Sequence, residues 1–310
     1  MILILSEERD VSTDNVCKWL NYQNKKFVRI NIEDHNRDFE RLLFEKGVIL
    51  SDKKKKGSDI FGNWDSIWCR RGTLPLLHIS EPKSSYINEK SFNDFLKKEY
   101  QIFTDFLYSK ISHSKHFNLP NLYNVNKIKV LEEALKVGLN IPNTIITNNR
   151  KSIVNSKFKF PLICKPISDL AEIDINHEKY NKILFKLNRI NSFNEIPVEF
   201  EFTLFQELIS KKYDLRIFFI ENNFISCAIL NTALDSRNIA YRVVPFNLPI
   251  ELKRKLQKLN KKIKLNSGSI DMVVSKDNIF IFLEINPVGQ FEFYNNKLDL
   301  GISKLISEKL

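Results

Sequence analysis

Three oxygen-bearing side chains interrupt an otherwise apolar stretch near the end of the 310-residue chain: Asp271, Glu284 and Asn286, within IDMVVSKDNIFIFLEINPVGQ at 270–290. Two apolar runs, 270–274 and 279–285, flank Ser275-Lys276-Asp277-Asn278, a pattern that predicts a β-hairpin of buried strands. Side chains two apart on a strand share a face, so Glu284 and Asn286 point the same way, and Asp271 can lie beside them on the partner strand. Two carboxylates and an amide oxygen suit Mg²⁺, a hard cation that takes oxygen ligands, keeps some waters and shares its shell with phosphates. A capped hairpin with solvent-facing acids fits the same pattern, and the Pro287-Val288-Gly289 turn does not choose between them.

Cations recur in positions that could face such carboxylates. Arg216 stands in Asp214-Leu215-Arg216, where the two charged residues share one strand face and Leu215, Ile217 and Phe219 the other. Arg237 belongs to the loop 231–238 and Arg242 to the strand expected after it, so the three arginines come from adjacent elements of one sheet. Cations facing carboxylates across an anionic substrate are what phosphoryl transfer requires. Lys127, in the first turn of a helix, and Lys165, closing the apolar run Phe160–Pro166, could each reach a phosphate or be surface lysines. Arg70 and Arg71 end the short strand Asp65–Gly72, where they could grip a carboxylate or phosphate bidentately or simply be surface charges. His35, His78, His113, His116 and His177 lie outside these elements, and no Ser/His/Asp or Cys/His set stands out.

The elements that must carry these residues follow from periodicity. Met1–Leu5 reads as a buried strand, Thr13–Tyr22 as a helix with Val16, Trp19 and Leu20 inward, and Phe27–Ile32 as a second strand. This opens an α/β sheet, yet Ser-Glu-Glu-Arg follows Leu5 where a glycine-rich dinucleotide turn would stand. The polar stretch 51–59 reads as a hairpin tip. An amphipathic helix is expected over Asn88–Lys110, with Phe92, Phe95, Leu96, Phe103, Phe106 and Leu107 inward. A boundary near 113–120 precedes a helix at 124–137, ended by Gly138, and strands at 144–147 and 160–166. Loop and charged helix fill 167–197; antiparallel strands are expected at 200–209, 214–219, 224–230 and 239–244, and one final helix over 297–310.

Composition narrows the class. With 43% hydrophobic and 27% charged residues the chain is globular and large enough for two or three lobes. The apolar start is too short for a signal peptide or a membrane span. Cys17, Cys69, Cys164 and Cys227 have no metal or redox spacing and read as buried thiols of a reducing, cytoplasmic compartment. The formal charge of +11 points to an anionic partner without choosing among nucleic acid, acidic peptide and nucleotide phosphate.

Taken in order, a lysine-bearing helix, the Lys165 strand end, Gln206-Glu207-Leu208-Ile209, Asp214-x-Arg216, Asp271 and Glu284-x-Asn286 resemble the ATP-grasp ligase family over 65–310. Trp68-Cys69-Arg70-Arg71, Asp235-Ser236-Arg237 and the tail Glu284–Phe291 resemble its peptide-maturing branch, the microviridin-type or graspetide synthetases with their grasp-with-spasm maturases. The resemblance implies an α/β ATP-grasp fold of three subdomains: an N-terminal pre-ATP-grasp domain at 1–115, a central lobe at 116–205 that docks a leader peptide, and a C-terminal lobe at 206–310, with nucleotide between the last two. It implies that Lys127 and Lys165 contact the ATP phosphates, that adenine lies against Gln206, Glu207, Leu208 and Ile209, and that Asp214 reads the ribose. Asp271, Glu284 and Asn286 would hold two Mg²⁺ ions, and Arg216, Arg237 and Arg242 would steady the γ-phosphate. Arg70 and Arg71 would touch substrate.

The reaction so implied activates a Glu or Asp side chain of a ribosomally made precursor as an acyl phosphate. A Thr, Ser or Lys side chain then closes an ester or amide ring. The expected partner is a precursor peptide with a leader and an acidic core, with no nucleic acid and no membrane; a homodimer fits by resemblance alone. One departure is that 166–180 lacks the family's phosphate-covering glycine. Two rivals are an ATP-grasp amino-acid ligase that adds glutamate or another amino acid, and a non-catalytic nucleic-acid-binding protein, which lacks a concentrated basic-aromatic motif.

Overall fold

A computed structural model describes residues 1–33, 39–44, 48–52, 64–71, 89–118, 125–156, 158–167, 173–175, 178–180, 188–230 and 242–310. In chain order the strands and helices are β1 (Ile2–Ser6), α1 (Val11–Tyr22), β2 (Phe27–Asn31), β3 (Phe39–Phe44), β4 (Val48–Asp52), β5 (Ser66–Cys69), α2 (Glu89–Ile111) and β6 (Lys115–Phe117). There follow α3 (Lys127–Lys136), β7 (Thr144–Asn149), α4 (Arg150–Asn155), β8 (Leu162–Lys165), β9 (Ile173–Ile175), β10 (Glu178–Tyr180), β11 (Asn188–Ile190) and β12 (Glu199–Glu207). The last third holds β13 (Lys211–Ile220), β14 (Asn223–Leu230), β15 (Arg242–Pro245), α5 (Ile250–Lys262), β16 (Ser267–Ser275), β17 (Phe280–Asn286), α6 (Glu292–Leu298) and α7 (Ile302–Lys309). Two compact units result: 1–123 with 290–295 and 301–310, and 124–289 with 296–300. Among the described residues no helix is long and apolar enough to cross a membrane.

The first unit is built on a parallel sheet in the order β2-β1-β5-β6. Leu3, Ile4 and Leu5 are buried on both faces, as a central parallel strand requires. Leu3, Leu5, Ile67 and Cys69 meet Tyr108 and Ile111 of α2 in one core cluster, with Phe103 and Phe106 partly buried against it. Phe95, expected to face inward, is exposed.

Where a dinucleotide fold would place phosphate, α1 starts on a carboxylate. Asp10 caps the helix by accepting from Ser12 N–H at 3.1 Å and from the Thr13 hydroxyl at 3.0 Å. Arg70 closes the arrangement: its Nε lies 3.1 Å from Asp10 Oδ2, and its guanidinium stacks 5.1 Å from the Phe291 ring. The two side chains are only 5% and 6% exposed. Arg70 is therefore a structural counter-ion for the α1 cap and not the substrate-gripping group expected from its strand-end position. Arg71 instead pairs with Glu7 at 2.7 Å, partly exposed.

Besides the two-stranded β10-β9 pair, the second unit holds two larger sheets, β11-β8-β12-β7 and β15-β14-β13-β16-β17, antiparallel at every strand pairing described. Leu162 and Phe205 anchor the first with Ile153, Ile190 and Ile196. In the second, α5 buries Leu252, Leu256 and Leu259, the spacing of a one-sided helix. Asn126 caps α3 by accepting from Lys129 N–H, and Gly138, at φ +79°, takes the left-handed step that ends it. The single final helix expected over 297–310 is broken instead, because Asp299 and Gly301 adopt left-handed backbone between α6 and α7.

Removing one member of a buried ion pair strands the other charge, at a cost of about 3–5 kcal/mol. Asp10→Ala is therefore expected to destabilise the first unit by that amount in chemical denaturation, and Asp10→Leu combined with Arg70→Met to recover most of the loss. A single variant as stable as the parent would contradict the pairing.

Candidate functional site: a charged rung across three strands

The hairpin forms as its sequence predicts, between β16 and β17, with Asn278 at φ +62° in the turn. Its register makes Asp271 the direct partner of Glu284, and Ser269 that of Asn286. On its other side Asp271 is the direct partner of Arg216 in β13. Arg216, Asp271 and Glu284 thus form one rung across three neighbouring strands, all on one face. The Arg216 guanidinium donates to Asp271 Oδ1, with side chains 19% and 29% exposed. A register shift after Asp271 leaves Leu283 as the extra residue, so the face turns over between Glu284 and the fully buried Phe282.

Asn286 is held at the end of this rung by backbone. Its Oδ1 accepts from Val288 N–H at 2.9 Å, and its carbonyl accepts from Gly289 N–H at 3.3 Å. A Cβ on Gly289 would come within 1.8 Å of Ser269 Oγ, and one on Gly268, at φ +152°, within 2.6 Å of the Asn286 carbonyl. Both glycines are needed for this close approach. Sequence reading missed Ser269 and these two glycines as supports; the Pro-Val-Gly turn was the available signal.

Lys165, ending β8, comes from the other sheet and is brought into the field of the rung. Burial lowers its ammonium below the ordinary lysine value; Glu284 and Asp271 oppose that shift, and Lys127 adds to it. Lys127, Lys165, Asp271, Glu284 and Arg216 are therefore one electrostatic group, three cations to two anions. Asp214 shares the Arg216 face, but its carboxylate is already gripped by Lys211 at 2.6 and 2.8 Å. Burial raises the Asp214 carboxyl and nearby Asp271 adds to it, against the bond to Lys211. Lys211 went unnoticed in the sequence, where only its position three residues before Asp214 marked it. Beside the rung on the same face, Cys227, the β14 partner of Arg216, has its thiol pushed up to about 12 by burial. It stays protonated and is no nucleophile.

The 206–209 segment runs out of β12. Gln206 is buried and donates to Thr144 Oγ1 at 3.0 Å, while Glu207 accepts from Asn143 and from Lys159 N–H at 2.8 and 2.9 Å. These bonds brace the strand end. The Leu208 N–H goes to Pro161 O at 3.0 Å, whereas the Ile209 N–H takes no hydrogen bond among the described residues.

Arg242 is the one described arginine of the expected set that does not share the rung's face. Arg237 lies outside the described residues, as do Asp235 and much of the glycine-free 166–180 stretch. Arg242 pairs with Leu230, whereas Arg216 pairs with Cys227 three residues earlier on the same strand. An odd spacing reverses the face, so Arg242, exposed at the start of β15, projects from the side opposite the rung. The sequence assigned the right sheet and the wrong face.

Among the described residues no group of three or more His, Cys, Asp or Glu side chains gathers as a metal cage. Two carboxylates and a carboxamide are too few donors for a closed site. They suit a hard ion that completes its shell with water and phosphate oxygens, as Mg²⁺ does.

No protein-family model matches the chain, and no curated protein sequence does. Solved structures match it along its whole length. The macrocyclase MdnC of Microcystis aeruginosa MRC, bound with precursor peptide MdnA, aligns at TM-score 0.78 and 24% identity, covering 100% of this chain and 98% of that one. A RiPP-associated ATP-grasp ligase of Chryseobacterium gregarium, in complex with ADP, a leader and a core peptide, aligns at 0.79 and 22%, covering 100% and 96%. The ATP-grasp ligase PsnB, complexed with a minimal precursor, Mg and ADP, aligns at 0.69 and 16%, covering 99% and 95%. The chain has the ATP-grasp fold of these ligases, the fold expected from the sequence.

A lysine whose folded value is depressed destabilises the native state at neutral pH, and the cost is relieved as pH rises from that value toward the ordinary 10.5. Lys165→Met is accordingly expected to raise the melting temperature at pH 7, by a margin that shrinks toward pH 10. A margin independent of pH would contradict a charged, desolvated Lys165.

Proposed function

We propose that this chain is an ATP-dependent ligase that matures a ribosomally made peptide by joining two of its side chains. The rung Arg216–Asp271–Glu284, with Lys165 brought against it from the other sheet, carries the reading. The likeness of the fold to ligases solved with nucleotide and precursor peptides supports it. In this reading the sheet with β7, β8, β11 and β12 belongs to a central lobe at 116–205, that of β13–β17 to a C-terminal lobe at 206–310, and residues 1–115 form the N-terminal domain.

Each group then has a task. Lys127 and Lys165 take the phosphates, and a bound triphosphate supplies the anionic charge that three cations and two carboxylates leave uncompensated. Adenine lies along 206–209, its edge reached by backbone; the Ile209 N–H is the donor that remains. Asp271, Glu284 and Asn286 would hold Mg²⁺, which when bound neutralises the β- and γ-phosphates and draws charge from the transferring phosphoryl group. Arg216 is fixed by Asp271, so its guanidinium meets developing charge without reorganising. A peptide carboxylate attacks the γ-phosphorus, releasing ADP and giving an acyl phosphate. A hydroxyl or amine of the same peptide then attacks that carbonyl and expels phosphate. Both groups come from substrate, which accords with the protonated Cys227 thiol. Asp214, tied to Lys211, serves as a brace for β13 rather than as a ribose ligand. Arg71, paired with Glu7, keeps no assigned role.

Mass spectrometry of the precursor after incubation with enzyme and MgATP tests this reading, each closed ring removing one water. Glu284 is exposed, so Glu284→Gln is expected to keep the wild-type melting temperature and lose ring closure by at least about a hundredfold, the scale of losing one transition-state charge contact. Undiminished closure would overturn the assignment. ATP turnover supported by free glutamate without peptide would favour the amino-acid ligase instead.

A further inference from the structure

Beyond the rung, toward the open end of the β16–β17 hairpin, the same face carries a serine. Ser269 stands two residues before Asp271 on β16 and is the direct partner of Asn286 on β17. Its partner on the other side, in β13, is Phe218, 4% exposed, whose side chain offers no hydrogen-bonding group. Two of the three oxygen-bearing side chains at 271, 284 and 286 thus flank one hydroxyl, Asn286 across the ladder and Asp271 along the strand.

That hydroxyl makes no bond in the protein without ligand. Ser269 is 1% exposed, and its Oγ has no hydrogen-bond partner among the described residues. Gly289 seals it in: a Cβ on Gly289 would stand 1.8 Å from Oγ and 2.4 Å from the serine Cβ. A buried hydroxyl without a partner is costly, and alanine would fit there without that cost.

Asn286 has the complementary gap. Its Oδ1, the atom a hard cation takes, accepts from Val288 N–H, while its Nδ2 makes no hydrogen bond among the described residues. A carboxamide that binds a metal through oxygen must be kept from turning its nitrogen to the ion, and an acceptor for its N–H does this. Direct partners have Cβ atoms about 4.5–5.5 Å apart, within reach of a serine and an asparagine side chain. Glu284, two residues before Asn286, is the other acceptor beside it, but there it is itself a ligand of the cation.

We propose that Ser269 is the positioning residue for Asn286. With a divalent cation at the hairpin, Oγ turns out from under Gly289 to accept from Asn286 Nδ2, and its O–H donates to the Asp271 carboxylate. Rotation of χ1 between staggered wells is enough. A carboxylate has about four lone-pair sites, so Asp271 can accept this bond beside the one from Arg216. The hydroxyl then ties the amide ligand to the carboxylate ligand, and it is satisfied only in the loaded protein. The unloaded protein gives up some stability to keep it, as functional sites do. The inference rests on the ligase reading for the presence of the cation.

Ser269→Ala tests it through two readouts on the full chain, neither of them turnover. Without nucleotide or metal, S269A is expected to melt at the parent temperature or above it, because only an unpartnered hydroxyl is lost. In Mn²⁺ titrations followed by electron paramagnetic resonance, with a non-hydrolysable ATP analogue present, it is expected to bind the ion about tenfold more weakly. That penalty should shrink at least about threefold in an N286A background, where no side-chain N–H remains to be accepted. Parent-like Mn²⁺ affinity in S269A, or an undiminished penalty in N286A, would overturn the proposal. So would a lowered melting temperature or failure to fold in S269A, since the hydroxyl would then have a structural partner in the unloaded protein. If parent and N286A bind Mn²⁺ alike, the metal reading of the hairpin fails; if N286A weakens binding and S269A does not, only the role of Ser269 fails.

Discussion

The second unit depends on an ion pair that is also a point of strand register. Arg216 and Asp271 are direct partners on β13 and β16, and Asp271 and Glu284 are direct partners on β16 and β17. A slip of one residue in either pairing would send one member of the rung to the opposite face, because side chains alternate. The apolar residues enforce the register: Leu215, Ile217, Ile270, Met272 and Ile285 are buried and admit no shift. Hydrophobic burial thus fixes where the charges stand, and the charges need only be held partly in solvent, where a ligand can reach them.

Two of the arginine–carboxylate pairs among the described residues show how burial separates structure from chemistry. Arg70 and Asp10 are almost wholly sealed, and further bonds to the Asp10 carboxylate come from the α1 cap. Their charge is spent on holding a helix start to a strand end. Arg216 and Asp271 retain solvent exposure and stand next to Glu284, Asn286 and the half-buried Lys165. That cluster mixes cations and anions without cancelling them, which is how a site for a metal–phosphate complex should look before it binds.

Much of this was legible in the chain. The alternation around Asp271, Glu284 and Asn286 pointed to a hairpin and a common face, since a period of two needs only local sequence. Asp214-Leu215-Arg216 gave the neighbouring strand for the same reason. Pairings remote in sequence were not legible. Arg70 looked like an available cation because its partner, Asp10, sits sixty positions earlier and carries no local mark. Arg242 was put with Arg216 because its strand was read correctly, but the face of a strand depends on register, and the 231–241 segment intervenes. The break between α6 and α7 was signalled by Gly301 and overridden by an apolar spacing that runs through it. Lys211 and Ser269 act on neighbours only once the strands have paired.

The central claim is that Asp271, Glu284 and Asn286 together present oxygen to a divalent cation carried by a triphosphate. Anomalous scattering from crystals grown with Mn²⁺ in place of Mg²⁺ and a non-hydrolysable ATP analogue tests it most directly. The account predicts metal peaks at bonding distance, about 2.1 Å, from oxygens of these three side chains and from phosphate oxygens of the analogue. A nucleotide bound with its metal away from the β16–β17 hairpin would contradict it.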